Sequence, residues 1–394
     1  RDFCLSRGLG DVYKRQMLWS NFGGSTSVGA LGEHPATVAR ARGRARRGAS
    51  RVERIGTVLL IPTGGTSTPS ADLLFPHDTC HCGRMRPDAR SYDVDDLRQR
   101  VMQEQGGAVD DSIPELADAD ADLCALALVL PDGTIRTSAQ SSVPFSVQSA
   151  VKPFLFALAL FDTEGEALDL VGIEPTGEAF DAIKLESGTG RPPNPMVNAG
   201  ALLTASLVDG ATVDERGERI LRGLSAFAGR RLEVDESVAR NEHLLGDRNH
   251  ALAHLMRAEG TLHVSADDAV AVYARACAVL VDAEALAVMG ATLACRGVNP
   301  VSGERVVSQS VARDVVSVMA TCGVYDGSGR WMREVGIPAK SSVSGAIVLS
   351  APGRLGAAVV SPPLDELGTS VRGRAACDAL SVELDLHAFG TSAN

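Results

Sequence analysis

Aromatic residues are scarce in this chain, 4% of 394 residues, with 2 Trp and 4 Tyr. Proteins that hold single-stranded nucleic acid need flat rings on which bases stack, so no nucleic-acid partner is expected. No apolar run approaches the ~18 residues that a membrane-spanning helix requires, and no secretory signal core is visible. The 8 cysteines (4, 80, 82, 124, 277, 295, 322 and 377) are dispersed, as in a reduced cytoplasmic protein rather than a disulfide-stapled one. A closed four-ligand metal pattern is also missing. Only "HDTCHC" (His77 to Cys82) gathers soft ligands, at a spacing that matches no zinc module, so neither metal nor cofactor is expected.

What is present is a 45% hydrophobic chain rich in small residues, enough for a substantial globular core. Its net charge of −11 is unevenly divided: residues 1–60 hold 11 Lys and Arg against 4 Asp and Glu, so the remainder carries −18. The acidic body repels phosphate backbones, while the basic stretch Arg40 to Arg54 reads in isolation as an interaction arm. Residues 1–93 read as an irregular leader, expected to be artefactual or disordered, with one short apolar run at Val58 to Pro62; the first sixteen residues read as a vector-derived scar before Met17.

From Val94 the texture changes. A helical pattern runs through "DDLRQRVMQEQ", and a hairpin follows, with Leu123 to Leu130 as one strand, Pro131 to Gly133 as its turn and "TIRTSA" as the return. A long apolar helix is predicted over 149–162, and 175–294 reads as mostly helical, with segments near 200–208, 213–228, 249–258 and 266–280. A second hairpin turns at "PGRLG", and "RGRAACDALSVELDLH" closes the chain with a helix. Strands at both ends with helices between them predict an α+β domain in which an antiparallel sheet collects both termini. The expected division is a sheet subdomain from 94–165 and 300–390, and a helical subdomain from 166–299.

Two short constellations carry chemistry. In "PFSVQSAVK" (Pro144 to Lys152), Ser149 and Lys152 stand three residues apart at a helix start, on one face. A serine hydroxyl becomes a nucleophile when a neighbouring desolvated lysine takes its proton, and a helix N-terminus favours the developing oxyanion. In "KSSVSGAIVL" (Lys340 to Leu349), a Lys-Ser pair enters a strand of the kind that supplies a cation and a backbone N–H to a serine hydrolase.

The stretches around and between these constellations resemble the serine-dependent glutaminase family of the β-lactamase/DD-peptidase-like fold. "SIPELA", "GIEPTGEAF", "RPPNPMVNAGAL", "RNHALAHLM", "GVNPVSGERVVS", "VMATCGVYDGSG", "VGIPAKSSVSGAI" and "SPPLDELGTSVRG" follow in the family's order over residues 94–387. The resemblance implies hydrolysis of L-glutamine to L-glutamate and ammonia, without cofactor, by a homodimer or homotetramer. It implies Ser149 as nucleophile, Lys152 as base, Tyr325 as the hydroxyl that protonates ammonia, and Val343 as an oxyanion donor beside Ser149. Glu242, Asn198, Asn249 and Tyr273 match substrate contacts. Taken alone, Glu242 reads equally as a solvated helix charge, the asparagines as helix caps and the tyrosines as core aromatics. Glu242 and Asn249, seven residues apart, face the same way if one helix carries both.

Four departures from the family pattern bear on function. Ser112 stands where a tyrosine is usual, which lowers turnover or enlarges the pocket. Ser342 and Ser344 replace glycines, and their Cβ atoms crowd a strand that approaches substrate. Pro153 either displaces Lys152 or is absorbed by a distorted first turn. Val151, in place of a serine, points into the core. Two other readings stay open: an amide or penicillin-recognising serine hydrolase of the same fold, and an impaired homologue that binds glutamine without turnover.

Overall fold

The computed structural model describes residues 88–177 and 182–390, all within the unit Thr79–Asn394. The basic stretch, Val58 to Pro62, the "HDTCHC" cluster and nearly all of the leader lie outside the described residues. Residues 88–93, grouped with the leader above, are part of the fold. They form the 3-10 turn Ala89–Ser91, and the Tyr92 hydroxyl donates to Glu383 at 2.6 Å.

The architecture is α+β. Strands β1 (Ala125–Val129) and β2 (Ile135–Thr137) form the first predicted hairpin, β3 (Phe145–Ser146), β4 (Glu233–Val234) and β5 (Val279–Val281) are short, and β6 (Ala339–Ser341), β7 (Ala346–Ala351) and β8 (Leu355–Val360) lie near the C-terminus. The main sheet runs β2-β1-β8-β7-β6, antiparallel throughout, so the second hairpin pairs directly with the first, as in Ala127 opposite Ala358. Chain ends far apart in sequence thus share one sheet.

Both faces of that sheet are covered, which explains why its strands read as continuous apolar runs. Leu126, Leu128, Ile347, Leu349 and Val359 face one core with helices Val94–Val101 and Val371–Glu383. Alternate residues Ala125, Ala127, Val129, Val348 and Ala358 face the other, under helix Ala283–Ala294. This helix rests close on the sheet because Gly356 has no side chain: a Cβ there would lie 2.0 Å from the Ala291 backbone nitrogen.

The intervening region holds the predicted helices at Asn198–Leu207, Val213–Ala228, Asp247–Ala258 and Ala266–Cys277. Helix Val213–Ala228 begins on a capping box between Thr212 and Glu215 and ends on Gly229 at φ 65°. Two expectations change. Residues 279–281, placed at a helix end, form β5, the centre of a sheet ordered β3-β5-β4. Strands of two or three residues are too short to show alternation. The stretch from 175 to 197 is irregular where described, rather than helical.

Candidate active site

The nucleophile candidate stands on a sharp corner. The chain leaves β3, Val147 N–H donates to Val279 O at 2.9 Å, and Gln148 adopts φ +49°, a left-handed conformation uncommon for a side-chain-bearing residue. Ser149 follows within the 3-10 turn Gln148–Val151, and the α-helix begins only at Lys152 and runs to Asp162. The predicted helix over 149–162 is therefore two pieces. The tight turn resolves the proline conflict: Pro153 occupies the first α-helical turn, where its missing N–H is not needed, and Lys152 keeps right-handed helical angles at φ −55°, ψ −44°. Ser149 is 7% exposed, at the wall of a cavity, and Lys152 is buried behind it. Val151 is buried in the core, as expected.

A hydrogen-bonded chain links this corner to the helical region. Lys152 Nζ donates to Asn198 Oδ1 at 2.7 Å, and Asn198 Nδ2 donates to Asn249 Oδ1 at 2.9 Å. Asn198 begins its own helix, which sits against the Asn194–Pro195 backbone because Gly200 lacks a Cβ; one placed there would meet Asn194 O at 1.9 Å. The two asparagines are thus neither helix caps nor solvated polar groups: each receives or passes on a bond that starts at the lysine.

The cavity, about 250 Å³, is lined by Ser149, Asn198, Glu242, Asn249, Tyr273 and Val343, together with Gln148, Ser112 and Cys277 among others. Glu242 and Asn249 lie on separate helices, Glu236–Leu244 and Asp247–Ala258, not on one as their spacing allowed; the break at Leu245–Gly246 still leaves both at the cavity. Burial raises the Glu242 carboxyl above its ordinary value, with Asp110 and Glu115 adding to the shift and a hydrogen bond from Gln148 and the charge of Lys152 opposing it. Tyr273 is buried, and its phenol is pushed well up by desolvation, with Cys277 as hydrogen-bond partner. Cys277 is itself raised by burial and by Glu242, so it stays a thiol and is no rival nucleophile. Gln148 and Cys277 were missed from sequence; Cys277 is four residues from Tyr273 on one helix, a spacing that signals a shared face.

Tyr325 and Lys340 are both buried and are not among the residues that line the cavity. Tyr325 takes φ +52° in a 3-10 turn, and its ring centroid is 3.7 Å from Lys340 Nζ and 5.3 Å from Lys152 Nζ. Lys340 is 0% exposed and donates to Ser341 O at 2.6 Å. Desolvation, then the charge of Lys152, holds its amine well below the usual lysine range. The cation expected at the start of this strand is therefore driven toward a neutral amine.

The serines at the former glycine positions do not crowd the strand. Ser342 Oγ donates to Val147 O at 3.0 Å and lies 3.0 Å from Ser344 Oγ, so the pair fastens the strand's exit to the nucleophile corner. Val343 between them reaches the cavity wall. Ser112 sits at the mouth, its hydroxyl and N–H both bonded to Asp110.

This arrangement can be set beside known proteins. The family profile described as Glutaminase matches residues 107–389. The chain belongs to the glutaminase family. A glutaminase of Clavibacter michiganensis subsp. michiganensis is 71% identical over 314 residues, covering 80% of this chain and 95% of that protein. One from Trichormus variabilis is 44% identical over 306 residues, covering 77% and 92%. Among solved structures, the glutaminase-family match Mglu in its glutamate form superposes with TM-score 0.74 at 44% identity, covering 78% of this chain and 72% of that one. The probable glutaminase YbaS gives TM-score 0.72 at 36% identity, covering 76% and 100%. Among the described residues no helix is long and apolar enough to cross a membrane, and the five cysteines at 124, 277, 295, 322 and 377 are free.

Proposed function

We propose that this glutaminase hydrolyses L-glutamine through a seryl acyl-enzyme on Ser149, within a β-lactamase/DD-peptidase-like fold. The observation that carries the reading is the bonded chain Lys152–Asn198–Asn249, which joins the base beside the serine to the wall that receives substrate. Glu242 accepts from the substrate's α-ammonium, and Asn198, Asn249 and Tyr273 orient its α-carboxylate end.

Lys152 takes the Ser149 proton as Oγ bonds to the γ-carboxamide carbon, and the carbonyl electron pair moves onto oxygen. The N–H groups of Ser149 and Val343 hold that oxyanion, each such donor being worth about 3 kcal/mol in comparable sites. When the tetrahedral species collapses, the C–N bond breaks and the nitrogen takes a proton passed from Lys152 through Tyr325, releasing ammonia. Water then attacks the ester along the reverse geometry; glutamate leaves and the serine regains its proton. The reaction calls for no metal or cofactor. A cytoplasmic location and a homodimer or homotetramer belong to the same reading, carried by the dispersed cysteines and the family resemblance.

Ammonia release from glutamine by the full chain, abolished in Ser149→Ala with glutamine binding retained, is the expected outcome. Undiminished release by the variant refutes the acyl-enzyme. Binding without turnover in the unaltered chain favours the impaired homologue instead.

A further inference from the structure

Three side chains outside the cavity converge from the same three helices that wall it. His243 follows Glu242, His250 follows Asn249, and Asp267 lies in the first turn of the helix that carries Tyr273. His243 Nε2 is 2.9 Å and His250 Nε2 3.6 Å from Asp267 Oδ1, and one ligand atom from each residue fits within 4.8 Å of the others. We propose that His243, His250 and Asp267 form a binding site for a divalent transition-metal ion of the zinc class, which ties these helices together.

The chemistry of the donors fits. Two imidazole nitrogens and one carboxylate oxygen make a three-ligand set that suits zinc and leaves a position for water. His250 Nδ1 lies 3.1 Å from Gly246 O, so a proton on Nδ1 can be donated to that carbonyl while Nε2 is the ring nitrogen nearer Asp267. Anchoring the far ring nitrogen on a backbone carbonyl is how metal-ligating histidines are usually oriented. Ligand atoms around a tetrahedral zinc at ~2.0–2.1 Å stand about 3.4 Å apart, so the His243–Asp267 separation has to open from 2.9 Å and the His250–Asp267 one to close from 3.6 Å. The Asp267 side chain is 73% exposed and already meets His243 Nε2 at 2.9 Å. The imidazole rings, 5.3 Å apart and tilted at 42°, need a small rotation.

An ion here has a consequence for the neighbouring wall. Glu242 and Asn249 are each one residue from a ligand, so fixing the histidines fixes the break at Leu245–Gly246 between the helices that present them. Sequence spacing hides the site, because the third ligand comes from a separate helix and the pattern is not a local zinc module.

The test is calorimetric titration of the full, chelator-treated chain with zinc sulfate, with X-ray absorption on the loaded protein. Expected are a site with nitrogen and oxygen ligands at ~2.0–2.1 Å and no sulfur near ~2.3 Å, and a melting temperature that rises on loading. His250→Gln and Asp267→Asn should each weaken binding about tenfold or more, while melting unchanged without zinc. The double variant Cys80→Ser, Cys82→Ser should bind as the unaltered chain does. No binding, sulfur ligation, or affinity insensitive to His250→Gln would overturn the site. Ser149→Ala should bind zinc normally, so failure of the hydrolytic reading leaves this result separately decided.

Discussion

Lys340→Met tests whether the lysine at the start of β6 is held neutral. Its amine is wholly buried, makes one hydrogen bond, to Ser341 O, and faces the Tyr325 ring. Burial and the nearby Lys152 charge depress its folded pKa, while in the unfolded chain a lysine titrates near ~10.4. Between those two values the unfolded state binds one more proton than the folded state. Stability of the unaltered protein therefore rises with pH across that window, by about 1.4 kcal/mol per unit, and is fully lowered below the depressed value. Methionine fills a similar volume and does not titrate. Loss of the bond to Ser341 O costs about 1–3 kcal/mol, but that cost is the same at every pH. Urea unfolding of both proteins at two pH values below the unfolded lysine's ~10.4 should show the unaltered chain gaining stability relative to Lys340→Met as pH rises, by up to about 1.4 kcal/mol per unit. Titrating groups that do not interact with Lys340 cancel in the difference. An offset that stays constant between the two pH values would show that Lys340 is charged in the folded protein, and the neutral-amine reading would fall.

Ser342→Gly restores the residue type usual in the family, yet it should cost about 1–2 kcal/mol in urea unfolding and lower kcat, because it removes the bond from Ser342 Oγ to Val147 O; a gain in kcat would revive the crowding argument. Glu242 has a raised carboxyl, so the KM for glutamine should climb as pH falls through that raised value, above the ordinary glutamate range near ~4.3. In Glu242→Gln that acid limb should vanish from the KM profile, with KM about tenfold or more higher throughout, and an unchanged limb would assign it to another group.

The sheet was legible because β1, β7 and β8 are long enough to show apolar runs and its turns carry Pro-Asp-Gly and Pro-Gly-Arg signals, so both hairpins fall where expected. Their pairing with each other followed from the rule that elements from both chain ends share one layer. The helix Val213–Ala228 was legible to the residue because its capping box and terminal glycine are local. What sequence could not supply are features decided by contacts distant in the chain. β3, β4 and β5 are strands only because they meet, and Gln148 takes its left-handed angle only because a strand must turn abruptly into a helix there.

The same distinction divides the site. Residue types announced a serine beside a lysine, but not that the lysine's Nζ is bonded to Asn198, 46 positions away, or that Asn198 passes the connection to Asn249. The local rules that cast doubt on Lys152 and the strand that begins at Ala339 were sound as rules and lost to context. A 3-10 turn gives Pro153 a position where it has no bond to break, and Ser342 and Ser344 find hydrogen-bond partners in Val147 O and each other. Ser112 is the departure that context does not absorb: its hydroxyl is spent on Asp110 at the cavity mouth, and the aromatic that lines the cavity, Tyr273, comes from a helix distant in sequence. The departure with the most room to change substrate choice therefore lies at the entrance of the cavity and not at the nucleophile.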